Sequence, residues 1–134
     1  MIDKTIFEIA SKSKNIGSLN KCTHYSKVKN SMCGDEIKIY LILKRGKIIK
    51  FKYEGKSCLY SQASASLLSE NLKNKEAKKI EILLKDAPKL FNNGKERISD
   101  KTLKKFFKII NKNNIARKEC LMLPIKATLK ALNK

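Results

Sequence analysis

Between Ile37 and Glu54 the chain alternates apolar and polar residues on both sides of an Arg45-Gly46 pair. Ile37, Ile39, Leu41 and Leu43 alternate with Lys38, Tyr40, Ile42 and Lys44. Beyond the turn, Ile49, Phe51 and Tyr53 alternate with Lys50, Lys52 and Glu54. A period of two around a glycine-containing turn predicts two antiparallel strands with one buried face. Gly55 ends the second strand, and Cys22–Lys29 reads as a weaker, polar edge strand.

Helical spacing governs most of the remainder. Residues 2–10 place Ile2, Ile6, Ile9 and Ala10 on one side, and a polar loop follows from Ser11 to Lys21 in which Ile16 to Leu19 dock locally. Ser57 is the expected cap of a helix over 58–72, whose small residues at 63–66 permit close packing on the sheet. Asn74 is the expected cap of a second helix to residue 85, with Ala77, Ile80, Leu83 and Leu84 on one face. Pro88, Asn92, Asn93 and Gly94 read as a loop. Ser99 or Asp100 caps a third helix with Leu103, Phe106, Phe107 and Ile110 inward, interrupted at Asn113-Asn114. Leu121–Leu132 forms the last helix, with Pro124 in its first turn. The predicted fold is α+β: a small antiparallel sheet of about three strands, covered on one face by helices.

At 134 residues the chain is read as one domain spanning 1–134, large enough for a core without staples. It shows neither an 18-residue apolar run nor a signal-peptide pattern, so a cytoplasmic protein is expected. Four cysteines in such a chain read as thiols or ligands. The net charge of +19 points at first to polyanions. Yet only Arg45, Arg97 and Arg117 are arginines, and the lysines are spread along the whole chain. Nucleic-acid surfaces lean on arginine and aromatics. Lysine, asparagine and isoleucine share A- and T-rich codons, so genome bias is the preferred source of the excess.

Chemistry concentrates in Cys33-Gly34-Asp35, Cys58 and Cys120. Cys58 and Cys120 open helical stretches, where unpaired N–H groups and the macrodipole favour a thiolate. Gly34 permits a sharp turn that lets Cys33 and Asp35 point at one centre. Three thiolates and a carboxylate make a tetrahedral set for zinc or ligands for an iron–sulfur cluster. Cys22 reads as an incidental thiol, and His24, the only histidine, as a surface residue. Arg117, three residues before Cys120, is either a surface arginine or a cation supporting Asp35 or a thiolate.

Met32-Cys33-Gly34-Asp35-Glu36-Ile37, Gly55-Lys56-Ser57-Cys58 with Ser61-Gln62-Ala63-Ser64-Ala65-Ser66, and Arg117-Lys118-Glu119-Cys120 resemble three signature blocks. They are those of the iron–sulfur scaffold family: IscU, the N-terminal domain of NifU, and SufU. The resemblance spans roughly residues 1–132. A stretch around 86–105 is similar to the insertion of SufU-type members. IscU proteins carry a histidine where this chain has Glu119, which again favours the SufU-like branch.

The resemblance implies Cys33, Asp35, Cys58 and Cys120 as ligands of zinc or a [2Fe–2S] cluster. It implies a cysteine desulfurase and apo iron–sulfur proteins as partners, with Cys33 and Cys120 as candidate sulfur acceptors. The expected role is a scaffold; the alternative is a zinc-dependent sulfurtransferase that holds no cluster. A nucleic-acid-binding module with structural zinc is more distant, because compact zinc folds place ligands in close pairs. No membrane partner and no specific nucleic acid are expected.

Overall fold

The computed structural model describes residues 4–30, 34–93 and 101–133. Helix α1 (Lys4–Ser11) precedes three strands, β1 (His24–Lys29), β2 (Glu36–Lys44) and β3 (Lys47–Glu54). Helices α2 (Leu59–Asn71), α3 (Ala77–Asp86), α4 (Leu90–Asn93), α5 (Lys101–Phe106) and α6 (Lys118–Leu132) follow. Short 3₁₀ segments, Ala87–Lys89 and Lys112–Arg117, connect the later helices.

The sheet is antiparallel in the order β1-β2-β3, so the expected α+β architecture is the observed one. Ile37, Ile39 and Leu41 from β2 meet Phe51 and Tyr53 from β3 on the buried face. Helix α6 lies against β1 and β2, while α2 touches β3 and α6 and carries α1 on another side. Helix α2 is buried on nearly every side, from Tyr60 to Ser69, which only small residues such as Ala63, Ser64, Ala65 and Ser66 allow at this density. The opposite face of the sheet carries the Tyr25 and Tyr40 rings, 5.2 Å apart. There Tyr40 donates to Glu54 at 2.6 Å, a bond that pushes the phenol pKa up to about 12.

Several boundaries differ from the sequence reading, each through a tertiary contact. A bulge between Ile42 and Leu43 resets the alternation, so Ile48 rather than Ile49 turns inward. Residues after α2 hydrogen-bond to the hairpin tip instead of starting a helix. Asn74 donates to Ile48 at 2.6 Å, and Ala77 to Gly46 at 2.8 Å. Asn74 therefore sits at φ 69°, and Glu76 is the N-cap of α3. The expected loop at 88–94 is helical through Asn93, because Leu90 and Phe91 are driven into the core. The third helix stops at Phe106, though Ile109 and Ile110 are still buried. Its expected caps, Ser99 and Asp100, its Leu103 side chain, and Ile2 and Gly94 lie outside the described residues.

Candidate metal centre

The centre is assembled where the N-terminal end of β2 meets the start of α2. Gly34 takes φ 76°, and the Asn30 amide donates to the Asp35 carbonyl at 2.7 Å, which fixes the residue before β2. The Glu36 amide donates to the Lys56 carbonyl at 2.8 Å, drawing residue 35 alongside 57 and 58. That approach needs Gly55, at φ 147°: a Cβ there would strike the Glu36 carbonyl oxygen. With the two segments so close, Asp35 Oδ2 accepts from the Cys58 amide at 3.3 Å. Cys58, rather than Ser57, is the N-cap of α2. A carboxylate from another segment thus meets the first turn of α2, where an anion is favoured.

Cys120 arrives from the far end of the chain. Helix α6 begins at Lys118, so Cys120 is its third residue, and Pro124 lies in the seventh position, inside the helix. The Ser61 hydroxyl, from a fully buried residue of α2, donates to the Cys120 carbonyl at 2.7 Å. Cys58 Sγ lies 3.9 Å from the same hydroxyl. The result is a compact trio: ligand atoms of Asp35, Cys58 and Cys120 all fall within 4.8 Å of one another, and the three residues are half-buried. Cys33 and Met32 lie outside the described residues.

The remaining candidates sit around this trio or away from it. Arg117 is the N-cap of α6, and its guanidinium lies over the Tyr60 ring, 5.2 Å from the centroid. This places a cation beside the first turn of α2 through an aromatic contact, worth about 1 kcal/mol in such settings. Glu119 points to solvent and approaches Lys126 at 3.6 Å. Cys22 is half-buried just ahead of β1 and is not part of the trio. His24 Nδ1 lies 2.9 Å from the Thr23 hydroxyl. Ser61 escapes a reading of the cysteines alone. The signal for it is Pro124, four residues after Cys120, which cannot supply the amide that a helix would offer that carbonyl.

Among the described residues no helix is long and apolar enough to cross a membrane. The description of NifU-like N-terminal domains matches residues 1–119, ending one residue before Cys120. The iron–sulfur cluster assembly scaffold protein IscU of Thermotoga maritima is 34% identical over 135 residues, covering 100% of this chain and 94% of that protein. A protein of Fervidobacterium islandicum AW-1, described as an iron–sulfur cluster assembly scaffold for the SUF system, superposes with a TM-score of 0.82. It is 25% identical, over 98% of this chain and 96% of that one. An N-terminal NifU-like protein from Brucella abortus shares the fold, with a TM-score of 0.82 at 21% identity over 98% of this chain and 91% of that one. The full-length match to the Thermotoga protein and the match over residues 1–119 agree: this chain belongs to the family of NifU-like N-terminal domains.

Proposed function

We propose that this chain is a scaffold for iron–sulfur cluster assembly, with Cys33, Asp35, Cys58 and Cys120 as the residues that hold metal or cluster. The observation that carries this reading is the convergence of Asp35, Cys58 and Cys120 within 4.8 Å from three separate elements. Cys33 stands two residues before Asp35 in the chain and supplies the fourth donor in this reading. The donor set fits both cargoes. Thiolates bind zinc and iron, and the carboxylate is the hard, exchangeable member of the set. A carboxylate weakens retention of a cluster, which suits a protein whose cluster must pass to apo iron–sulfur proteins. Free thiols of this kind also suit a reducing, cytoplasmic setting.

Sulfur reaches such a centre as the persulfide of a cysteine desulfurase. The thiolate of Cys33 or Cys120 attacks the outer sulfur, a new S–S bond forms, and the desulfurase cysteine leaves as a thiolate. Electrons balance without an external oxidant, since one sulfur–sulfur bond replaces another. Arg117, held over Tyr60 beside α2, would support the anionic donors. A second reading, a zinc-dependent sulfurtransferase, is favoured by Glu119, which points to solvent and brings no imidazole to the centre.

The test is protein purified without oxygen, then incubated with a cysteine desulfurase, cysteine, ferrous iron and dithiothreitol, the reductant that converts persulfide sulfur to sulfide. Iron, sulfide and zinc are assayed alongside the visible spectrum. Protein-bound iron and sulfide with visible charge-transfer bands are expected for the wild type and Cys22→Ala. They are expected to be lost in Cys33→Ala, Cys58→Ala and Cys120→Ala. A colourless protein with one zinc that still accepts sulfur would favour the sulfurtransferase. Neither metal nor sulfur on the wild type would overturn both readings.

A further inference from the structure

In an α-helix the carbonyl of residue i accepts from the amide of residue i+4. For Cys120 that residue is Pro124, which has no N–H, and a proline ring inside a helix also crowds the carbonyl four residues earlier. The helix nevertheless continues to Leu132, with the Thr128 hydroxyl donating to the Pro124 carbonyl at 2.8 Å. A donor from a different helix reaches the carbonyl that proline leaves without its helical amide. The Ser61 hydroxyl, fully buried on the first turn of α2, donates to Cys120 at 2.7 Å.

Resting on the metal-centre reading above, we infer that Ser61 is a positioning residue that tethers α2 to α6 and sets the spacing of Cys58 and Cys120, in place of the amide Pro124 cannot give. The geometry is economical. Ser61 lies three residues after Cys58, one helical turn along, and its oxygen is 3.9 Å from Cys58 Sγ. One hydroxyl therefore touches both cysteine-bearing segments. A tether of this kind narrows the range of separations open to two sulfurs that lie far apart in the chain. Metal affinity responds steeply to such positioning: partners of ligating residues typically change it 10- to 100-fold when removed.

Pro124 makes the inference testable by a double-mutant cycle. Alanine at 124 restores an amide to the Cys120 carbonyl within α6, so the carbonyl no longer depends on Ser61. The probe is Co²⁺ alone, titrated into metal-free protein, read by its affinity and by the intensity of its visible ligand-field bands. Thermal unfolding of the metal-free protein is measured in parallel. Ser61→Ala is expected to weaken Co²⁺ binding about tenfold and to alter the bands. In the Pro124→Ala background the same substitution is expected to change affinity less than about threefold.

Equal losses in both backgrounds would overturn the role assigned to Pro124. A lower unfolding temperature with wild-type affinity and spectrum would reduce Ser61 to a packing residue and overturn the positioning role. Should Ser61→Ala alone fail to fold, the Ser61→Ala/Pro124→Ala protein decides: a folded protein with near wild-type Co²⁺ affinity supports the tether, and any other result overturns it. Cys58→Ser and Asp35→Ala serve as controls. If they too leave Co²⁺ binding unchanged, the metal-centre reading itself fails, which is distinct from failure of the tether alone.

Discussion

Asp35 has two carboxylate oxygens and two tasks. Oδ2 accepts from the Cys58 amide at 3.3 Å, and the carboxylate belongs to the cluster formed with Cys58 and Cys120. Substitutions can separate the tasks. Asp35→Ala removes the acceptor at the start of α2 and is expected to cost about 1 kcal/mol, lowering the unfolding midpoint by a few degrees. Asp35→Asn keeps an acceptor oxygen and is expected to unfold close to the wild type. In the proposed role of Asp35 as a ligand, both lose the exchangeable anionic donor, so both are expected to hold a reconstituted cluster longer and pass it more slowly to apo-ferredoxin. Calorimetry and absorbance-monitored transfer check the two halves. Unchanged transfer in both variants would confine Asp35 to the turn. The sharp backbone at Gly34 was legible in the chain because glycine at a positive φ is a local requirement, while Cys33 lies outside the described residues. The cap on Cys58 was not, since it depends on a contact between residues 23 apart in sequence.

Elements were read well where local periodicity and packing agree, and poorly where the chain docks by its backbone. The β2–β3 hairpin follows its alternation until the bulge at Ile42/Leu43, which no side-chain pattern announces. Residues 74–76 resemble a helix start, yet the Asn74 amide donates to the Ile48 carbonyl and the Lys75 carbonyl accepts from the Ile48 amide at the hairpin tip. Ile16 does dock as expected, but through its neighbours' backbone: the Gly17 amide donates to the Tyr53 carbonyl at 2.8 Å, while the Ile16 side chain remains exposed. Pro124 lies inside α6 rather than in its first turn, because the helix begins at Lys118, three residues ahead of the apolar run that starts at Leu121. The joint between β3 and α2 is the element-scale feature on which the centre depends. Gly55→Ala is expected to destabilise the protein by roughly 2 kcal/mol, since both its positive φ and the approach of Glu36 exclude a Cβ. It is also expected to weaken Co²⁺ binding, because Asp35 and Cys58 sit on the two segments it brings together. A denaturant melt and a Co²⁺ titration test this. Wild-type stability with wild-type affinity would show that the joint tolerates rearrangement.

On the scale of the whole molecule, the sheet gives one face to the helices and leaves the other to tyrosines and lysines. The fold class was legible because the hairpin and the helical periodicities could combine only by covering one face of the sheet. The meeting of β2, α2 and α6 was legible through the three signature blocks, since periodicity alone does not say which helix ends approach which strand. The charge of +19 is a property of the whole surface as well. Binding to duplex DNA is therefore expected at low salt and should fall by orders of magnitude between about 50 and 200 mM salt, without sequence preference. Sequence-selective binding that survives physiological salt, in a filter assay, would contradict this. The central claim is that one carboxylate and three thiolates from distant parts of the chain share one metal. X-ray absorption at the zinc edge of protein loaded with one equivalent tests it most directly. Three sulfurs at about 2.3 Å and one lighter donor at about 2.0 Å are expected, with Cys33→Ala reduced to two sulfurs. A shell of oxygen and nitrogen donors, or a sulfur count unchanged by Cys33→Ala, would contradict it.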